Sequence, residues 1–316
     1  MPNLKVLRPK AAPAIERLVD DYLAHCQAIG LSAKTVKFSY GYPLRQVFLP
    51  WCAEQGIAEV GALTSRDVDR LSIQLMEQGG KRGALSRGSV WTYLKAVKRF
   101  LAWGREEGEA VQAEAKLPKL PQRLVEVLSR AEIERLEDAA LNERDKLIVR
   151  LLADSGIRVS ELVQLGTSDF VERDRSAFIK VTGKGVRERL VPLTPALYRR
   201  LRRYADRGRP QDAGTDRVFL ALRKDAGGDY RGLTPSGVQQ MVRGLGEKAG
   251  LGKRVHPHIF RHSAATHYLQ RGMDSLLVAQ ILGHSSLQMI QKVYSHLSPN
   301  DAHAALVAAL RQDDDR

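Results

Sequence analysis

Six side chains of the types that carry out phosphate chemistry lie between residues 158 and 294 of the 316-residue chain. They are two arginines, one lysine, two histidines and one tyrosine, namely Arg158, Lys184, His258, Arg261, His284 and Tyr294. A tyrosine oxygen can attack a phosphodiester and keep the bond energy in a phosphotyrosine. Two guanidinium groups can hold the non-bridging oxygens and stabilise the charge of the transition state, while an acid protonates the leaving oxygen. The set therefore contains the groups needed for phosphodiester transesterification without a metal ion.

The first arginine stands at the start of a predicted helix. Arg158 follows Gly156 in a turn that opens the sequence VSELVQL, where the helix dipole makes a cation mildly unfavourable. Glu161 lies one helical turn later and can orient Arg158. Two simpler interpretations stay open: Arg158 as a surface arginine and Glu161 as an ordinary helix-face carboxylate.

The lysine belongs to a predicted hairpin. Two β-rich runs flank the segment 182–185, which reads Thr-Gly-Lys-Gly and places Lys184 at the tip. Glycines on both sides let the backbone approach a phosphate or a base edge closely. A polar turn without a catalytic role is the alternative for Lys184. Arg187 and Arg189 alternate on the following strand, and we expect them to bind phosphate or to pair with acidic side chains.

Histidines are crowded around the second arginine. His258 and Arg261 are spaced i, i+3 on a helix whose start is marked by Pro257, so they share one face. His258 and His262 are spaced i, i+4, which raises the alternative of a zinc site. The segment has no HExxH pattern and no cysteine nearby, so we expect no metal and no cofactor. His262 and His267 are interpreted as core or surface residues.

The last two candidates lie beyond a predicted break between helices. His284 follows a glycine and precedes Ser285-Ser286, which can restart a helix. Tyr294 comes ten residues later, so the chain must fold back near Gly283 to bring the two side chains together. The alternative for Tyr294 is a half-buried tyrosine that packs on the core.

Taken in order, the segments ADSGIRVSEL, GKG, HIFRH and LGHSS with the tyrosine beyond resemble the tyrosine recombinase/integrase family, which includes Xer-type recombinases and phage integrases. The resemblance implies a tyrosine nucleophile, an arginine pair that clamps the phosphate, a lysine general acid and two histidines that contact the phosphate. The matching residues are, in that order, Tyr294, Arg158 with Arg261, Lys184, and His258 with His284. It also implies a helical, SAM-like core-binding domain joined to a mixed α/β catalytic domain.

Helical periodicity is clearest in the first half between Ser89 and Glu107. A stripe of apolar residues is predicted to be buried there, namely Val90, Leu94, Val97 and Leu101. Lys95 and Arg99 fall on another face, which can follow a DNA backbone or can simply be solvated. Upstream, Pro43 and Pro50 are expected to break or kink a helix. Further helices are predicted to begin at Thr64, Ser129, Thr194 and Thr234, and Ser129 is predicted to form a capping box with Glu132.

Length and pattern together predict two domains, since roughly 150 residues make one. Residues 1–13 are expected to be an N-terminal extension, 14–107 the core-binding domain, 108–124 a linker and 125–316 the catalytic domain with a tail helix. The predicted fold class is mainly α with a small β-sheet. The short extension favours a compact Xer-like or transposon-type organisation.

Charge indicates a polyanionic partner. The chain has 50 Lys and Arg against 36 Asp and Glu, a formal net charge of +14. Residues 1–124 hold 19 basic and 12 acidic side chains, and residues 125–316 hold 31 and 24, so each half contributes +7. A nucleic acid that touches both halves explains this distribution. We expect no membrane span, since no apolar run approaches roughly 18 residues. The two cysteines are too few for a disulfide framework, which favours a reducing cytoplasm.

The combined expectation is a site-specific DNA recombinase that cleaves double-stranded DNA through a 3′-phosphotyrosyl intermediate. The resemblance implies a C-shaped clamp and a homo-tetramer on paired DNA sites. A tail helix at 300–311 is predicted to dock on a neighbouring protomer or to pack on its own domain. Two alternatives stay open: a type IB topoisomerase-like enzyme that relaxes DNA, and a catalytically silent DNA-binding protein of the same fold.

Overall fold

The computed structural model describes residues 14–79, 85–120, 126–183 and 188–283. These residues form two compact units, with those up to 120 in the first and those from 126 onward in the second. The predicted fold class is confirmed, because helices dominate both units and the described strands form one small sheet. No helix within the described ranges is long and apolar enough to cross a membrane. The predicted extension 1–13 and the tail helix at 300–311 lie outside these ranges.

The first unit is built from helices that pack around the longest of them. Its α-helices are α1 (Ile15–Ala28), α2 (Ala33–Thr35), α3 (Leu49–Glu54), α4 (Ser65–Glu77) and α5 (Arg87–Glu106). The predicted apolar stripe of α5 is buried in the core of this unit, as expected. Helix α4 begins at the predicted residue, where Thr64 and Asp67 form a capping box.

Two prolines lie in a helical run that continues through them. Between α2 and α3 the chain forms the π-helical segments Val36–Gly41 and Leu44–Phe48, with Pro43 between them, and Pro50 is the second residue of α3. The run is not broken at either proline, and the alternative that the prolines kink it stays a prediction. A proline cannot donate the bond to the carbonyl four residues before it, and the π-turns on both sides of Pro43 mark where the α-helical bonding pattern is interrupted.

The segment predicted as a linker packs on the first unit along part of its length. Val111 and Ala113 are buried in the same core as α5. Arg105 Nη2 donates to the carbonyl of Ala113 at 2.7 Å, and the backbone N–H of Glu114 donates to Ser65 Oγ at 2.8 Å. This part of the chain has neither helix nor strand, and these contacts fix it to the first unit.

The second unit surrounds a buried central helix. Its helices are α6 (Arg130–Asp138), α7 (Glu143–Ser155), α8 (Val159–Leu162), α9 (Pro195–Arg203), α10 (Pro235–Lys248), α11 (Pro257–Gln270) and α12 (Ser275–Leu282). Helix α7 packs against α6 and α11, and its apolar side chains are fully buried. The predicted caps Ser129, Thr194 and Thr234 each accept a backbone hydrogen bond at the start of α6, α9 and α10.

A three-stranded antiparallel sheet completes the second unit. The strands β1 (Phe170–Arg173), β2 (Ser176–Thr182) and β3 (Glu188–Leu193) are ordered β1-β2-β3. The predicted hairpin corresponds to β2 and β3, whose last described pair is Thr182 with Glu188. Strand β1 was not predicted. It joins β2 through Asp174 and Arg175, which both have positive φ angles, as the type I′ turn requires.

Candidate active site

The turn that carries Arg158 is set by a glycine at the end of α7. Gly156 has a φ of +61° and donates its N–H to the carbonyl of Leu152 at 3.0 Å, which ends the helix. A Cβ atom at this position would lie 2.4 Å from Leu282 Cδ2 and 3.1 Å from Ala264 Cβ. Only glycine fits, because both the backbone conformation and the approach of α12 exclude a side chain.

Arg261 ties this turn to the end of α12 from within the core. Arg261 lies on α11, and only 3% of its surface is exposed. Arg261 Nη1 donates to the carbonyl of Gly156 at 2.7 Å, and Nη2 donates to the carbonyl of Leu282 at 2.6 Å. The predicted second arginine thus lies against the turn that holds the first.

Glu161 binds Arg158 and is almost completely buried, with 2% of the residue exposed. The backbone N–H of Arg158 donates to Glu161 Oε2 at 2.9 Å, and Arg158 Nη1 donates to Oε1 at 2.9 Å. The Arg158 side chain itself remains 37% exposed. The carboxylate therefore fixes both the backbone and the guanidinium of Arg158 while leaving part of that guanidinium open.

A third arginine binds the same carboxylate. Arg189 on β3 donates from Nη1 to Glu161 Oε1 at 2.8 Å and from Nη2 to Oε2 at 2.9 Å. Its Nε donates to the carbonyl of Ile281 at 3.1 Å. Of the two expectations for Arg189, the bonds that it makes here correspond to pairing with an acidic side chain. The alternation along the strand was the sequence signal, and it could not identify Glu161 as the partner.

The three arginines converge on the C-terminal end of α12. Arg189, Arg261 and Arg158 donate to three successive carbonyls, those of Ile281, Leu282 and Gly283 in that order. The Arg158 bond to Gly283 measures 2.8 Å. The last carbonyls of a helix lack intrahelical partners and carry partial negative charge, so they suit cationic donors.

Among the residues that the structure describes, three guanidinium groups and one carboxylate form this cluster, so positive charge is in excess. Burial, together with the like charges of Arg158 and Arg189, lowers the pKa of Arg261 to about 9. Burial alone would raise the pKa of Glu161, yet hydrogen bonds from Arg189 and from the Arg158 backbone hold that pKa below its usual value. The cluster therefore favours the binding of an anion.

His258 lies at the N-terminal end of α11, the helix that also carries Arg261. It is exposed in the first turn of α11, three residues before the buried Arg261. The neighbouring His256 is half-buried, and burial together with the nearby His258 lowers its pKa. Within the described part of the chain, no three His, Cys, Asp or Glu side chains are grouped so that they could hold a metal ion.

Four of the predicted site residues lie outside the described ranges, namely Lys184, Arg187, His284 and Tyr294. The described chain reaches close to two of them in sequence. Gly183 directly precedes Lys184, and Gly283, whose carbonyl binds Arg158, directly precedes His284. The contacts of these four residues stay predictions.

The amino-acid sequence is similar to those of known proteins. Residues 126–301 match the phage integrase family, which covers more than half of the chain. The chain is 31% identical over 294 residues to tyrosine recombinase XerD of Bifidobacterium longum, covering 90% of this chain and 93% of the relative. The chain belongs to the phage integrase family and is a tyrosine recombinase.

Solved structures of tyrosine recombinases share the fold. The crystal structure of XerA recombinase is 29% identical, with a TM-score of 0.51, and the alignment covers 93% of this chain and 98% of that one. A lambda integrase tetramer bound to a Holliday junction has a TM-score of 0.67 at 15% identity and covers 90% of this chain and 78% of that one. The resemblance to a tyrosine recombinase stated from the sequence motifs is thus confirmed at the level of family and fold.

In the first unit of this tyrosine recombinase, α5 carries the residues predicted to follow DNA. Lys95 and Arg99 are exposed, together with Thr92, on the side of α5 away from its buried stripe. Lys95 Nζ lies 5.0 Å from the centre of the Trp91 ring, a cation–π distance. Contact of these side chains with DNA stays a prediction.

Proposed function

We propose that this tyrosine recombinase is a site-specific DNA recombinase that breaks and rejoins double-stranded DNA through a covalent protein–DNA intermediate. The Tyr294 hydroxyl gives up its proton as its oxygen attacks the phosphorus and forms a 3′-phosphotyrosyl bond. The displaced 5′ oxygen takes up a proton. The intermediate conserves the phosphodiester bond energy, so a 5′ hydroxyl from a second strand can reverse the step and reseal the DNA. The reaction needs no metal, because arginines supply the positive charge.

The observation that carries this proposal is the convergence of Arg158 and Arg261 at the end of α12. They donate to the adjacent carbonyls of Gly283 and Leu282, in a cluster with excess positive charge. The bonds named above use two of the five N–H groups of Arg158, and its guanidinium is partly exposed. The oxygens of a bound phosphate would accept hydrogen bonds from the remaining N–H groups, and their negative charge would offset the positive charge of the arginines.

The remaining catalytic roles follow from the family motifs. Lys184 protonates the leaving 5′ oxygen, since an ammonium group can give up a proton to it. His258 is exposed in the first turn of α11 and donates a hydrogen bond to a non-bridging oxygen. His284 makes a second contact with the phosphate. Glu161 holds Arg158 and does not touch DNA.

Double-stranded DNA is the proposed partner of both units, with the first unit as a core-binding domain and the second as the catalytic domain. The equal excess of basic residues in the two halves supports contacts along one duplex. The lambda integrase neighbour is a tetramer on a Holliday junction, which supports a homo-tetramer on paired sites as the working assembly. The proposed compartment is the reducing cytoplasm.

The relatives do not favour the two alternatives. The relative from Bifidobacterium longum is a tyrosine recombinase, which supports recombination over simple relaxation of supercoils or silent DNA binding. A type IB topoisomerase would relax plasmid DNA that lacks a paired site. A silent binding protein would form no covalent adduct with DNA.

The test uses a nicked suicide duplex whose sequence has been selected by binding to the protein from a random library. A nick close to the cleaved phosphate lets the 5′ fragment diffuse away, so the covalent adduct accumulates. We expect wild type to form the adduct in EDTA and Tyr294→Phe to form none. Tyr268→Phe is the matched control, because the Tyr268 hydroxyl donates to the carbonyl of Asp154 and its pKa is raised to about 12 by burial. An adduct that persists in Tyr294→Phe would reassign the nucleophile.

A further inference from the structure

Arg189 occupies a position that none of the predicted catalytic roles explains. It stands on β3, paired with Val181 across the sheet, and its side chain is only 16% exposed. From there it reaches two other elements, Glu161 on α8 and the carbonyl of Ile281 on α12. One side chain therefore connects the sheet, the first arginine's helix and the end of α12.

Each oxygen of Glu161 is shared between Arg158 and Arg189. Oε1 accepts from Nη1 of both arginines, and Oε2 accepts from the backbone N–H of Arg158 and from Nη2 of Arg189. Removal of Arg189 would leave a buried carboxylate with two of these four hydrogen bonds. The plane of the carboxylate, and with it the direction of the Arg158 guanidinium, would then lose its second support.

A second, independent observation concerns Gly283. This residue has a φ of +67°, and a Cβ atom there would lie 2.7 Å from Cζ and 2.8 Å from Nε of Arg189. The Arg189 guanidinium therefore packs directly on the Gly283 backbone. The same backbone offers its carbonyl to Arg158 and continues in sequence to His284.

We propose that Arg189 is a positioning residue for DNA cleavage, which orients Arg158 through Glu161 and fixes the end of α12 through Ile281 and Gly283. The proposal rests on the proposed function, since it concerns the arginine clamp of that same reaction. This positioning role takes the place of the phosphate contact that the sequence allowed for Arg189, because its Nη1, Nη2 and Nε each donate to the protein. A lysine cannot substitute, since its single nitrogen cannot span both carboxylate oxygens and the Ile281 carbonyl in this geometry.

The test compares Arg189→Lys with Arg150→Lys, which removes a similar half-buried pair elsewhere in the second unit. Arg150 donates to Glu137 Oε2 through Nε, at 2.8 Å, and through Nη2. Two quantities are measured on the nicked suicide duplex: the Kd of DNA binding at several salt concentrations, and the single-turnover rate of adduct formation by protein saturated with DNA. Thermal unfolding of each variant is recorded alongside.

We expect Arg189→Lys to slow single-turnover cleavage by about 10–100-fold, the usual effect of losing a residue that holds a functional group in place. The Kd and its salt dependence should stay those of wild type. Arg150→Lys should change neither quantity, even if it lowers the unfolding temperature as much. If Arg189→Lys does not fold, Glu161→Gln tests the same link from the other side and should show the same loss of rate with unchanged Kd.

Two results would overturn the proposal. A weaker Kd with a shallower salt dependence in Arg189→Lys would make Arg189 a phosphate contact. A cleavage rate equal to that of wild type, or a loss equal to that of Arg150→Lys, would leave it a structural ion pair. Failure of wild type to form any adduct is a separate outcome, because it contradicts the proposed function before the variants are compared.

Discussion

Replacement of Gly156 by alanine tests whether the turn before Arg158 and the end of α12 are packed as tightly as the structure has them. The φ of +61° costs an alanine about 1–2 kcal/mol. The new Cβ would also lie 2.4 Å from Leu282 Cδ2, and overpacking of a core costs about 1–3 kcal/mol more. The atoms that must move belong to the residue whose carbonyl binds Arg261.

Gly250 is the matched control within the same unit. Its φ is +62°, but a Cβ there would meet only Arg135 Nη2 at 3.6 Å, an ordinary contact. Gly250→Ala is therefore destabilised only by the positive φ, whereas Gly156→Ala is destabilised by overpacking as well. The free energies of unfolding of the two variants should differ by about 1–3 kcal/mol. In a unit of this size each kcal/mol lowers Tm by about 2–4 °C, so Gly156→Ala should melt about 2–12 °C below Gly250→Ala.

The assay joins calorimetry to cleavage. Tm is measured by scanning calorimetry, and adduct formation is measured on the suicide duplex at a temperature where both variants are folded. Gly156→Ala should lose cleavage because the Arg261 guanidinium is displaced with Leu282, while Gly250→Ala should keep it. Equal Tm values for the two variants would refute the close packing at Gly156. Full cleavage by Gly156→Ala would refute the link between that packing and the arginine pair.

Two further predictions concern charge. Replacing Lys95 and Arg99 together by alanine should reduce the slope of log K against log salt by about 1.8, since each phosphate contact contributes about 0.9, and an unchanged slope would place the DNA elsewhere. The lowered pKa of Glu161 contributes stability that is fully present above its unfolded pKa near 4.5 and is lost as pH falls through the lower folded value. Urea unfolding from pH 7 to pH 3 should therefore show a steeper loss in wild type than in Glu161→Gln, and parallel curves would contradict the shift.

Local signals in the sequence predicted the parts of the fold that depend on local physics. Threonine or serine caps located the starts of α4, α6, α9 and α10, because the cap bond joins residues only three apart. The apolar stripe of α5 was predicted for a similar reason, since its period of 3.6 residues reports one buried face.

Other features were missed or misjudged, either because their local sequence signal is unusual or because their partners are distant in sequence. Strand β1 is joined to β2 through Arg175, which has a positive φ without being the glycine or asparagine that usually marks such a turn. The helical run through Pro43 depends on π-turns that no proline rule anticipates. The pairing of Arg189 with Glu161 joins residues 28 apart, so the strand pattern could predict an acidic partner without identifying it.

The end of α12 explains how three guanidinium groups can lie together before any DNA is bound. One carboxylate, Glu161, bonds two of them, and Arg261 bonds instead to the carbonyls of Gly156 and Leu282. Carbonyls at a helix C-terminus carry only partial negative charge, so they orient the arginines without neutralising them. A bound phosphate would add negative charge beside these guanidinium groups. Because the accepting carbonyls and the carboxylate fix the guanidinium planes in advance, little reorganisation is needed when charge develops on the phosphate oxygens. That pre-organisation is the physical source of the stabilisation that we propose.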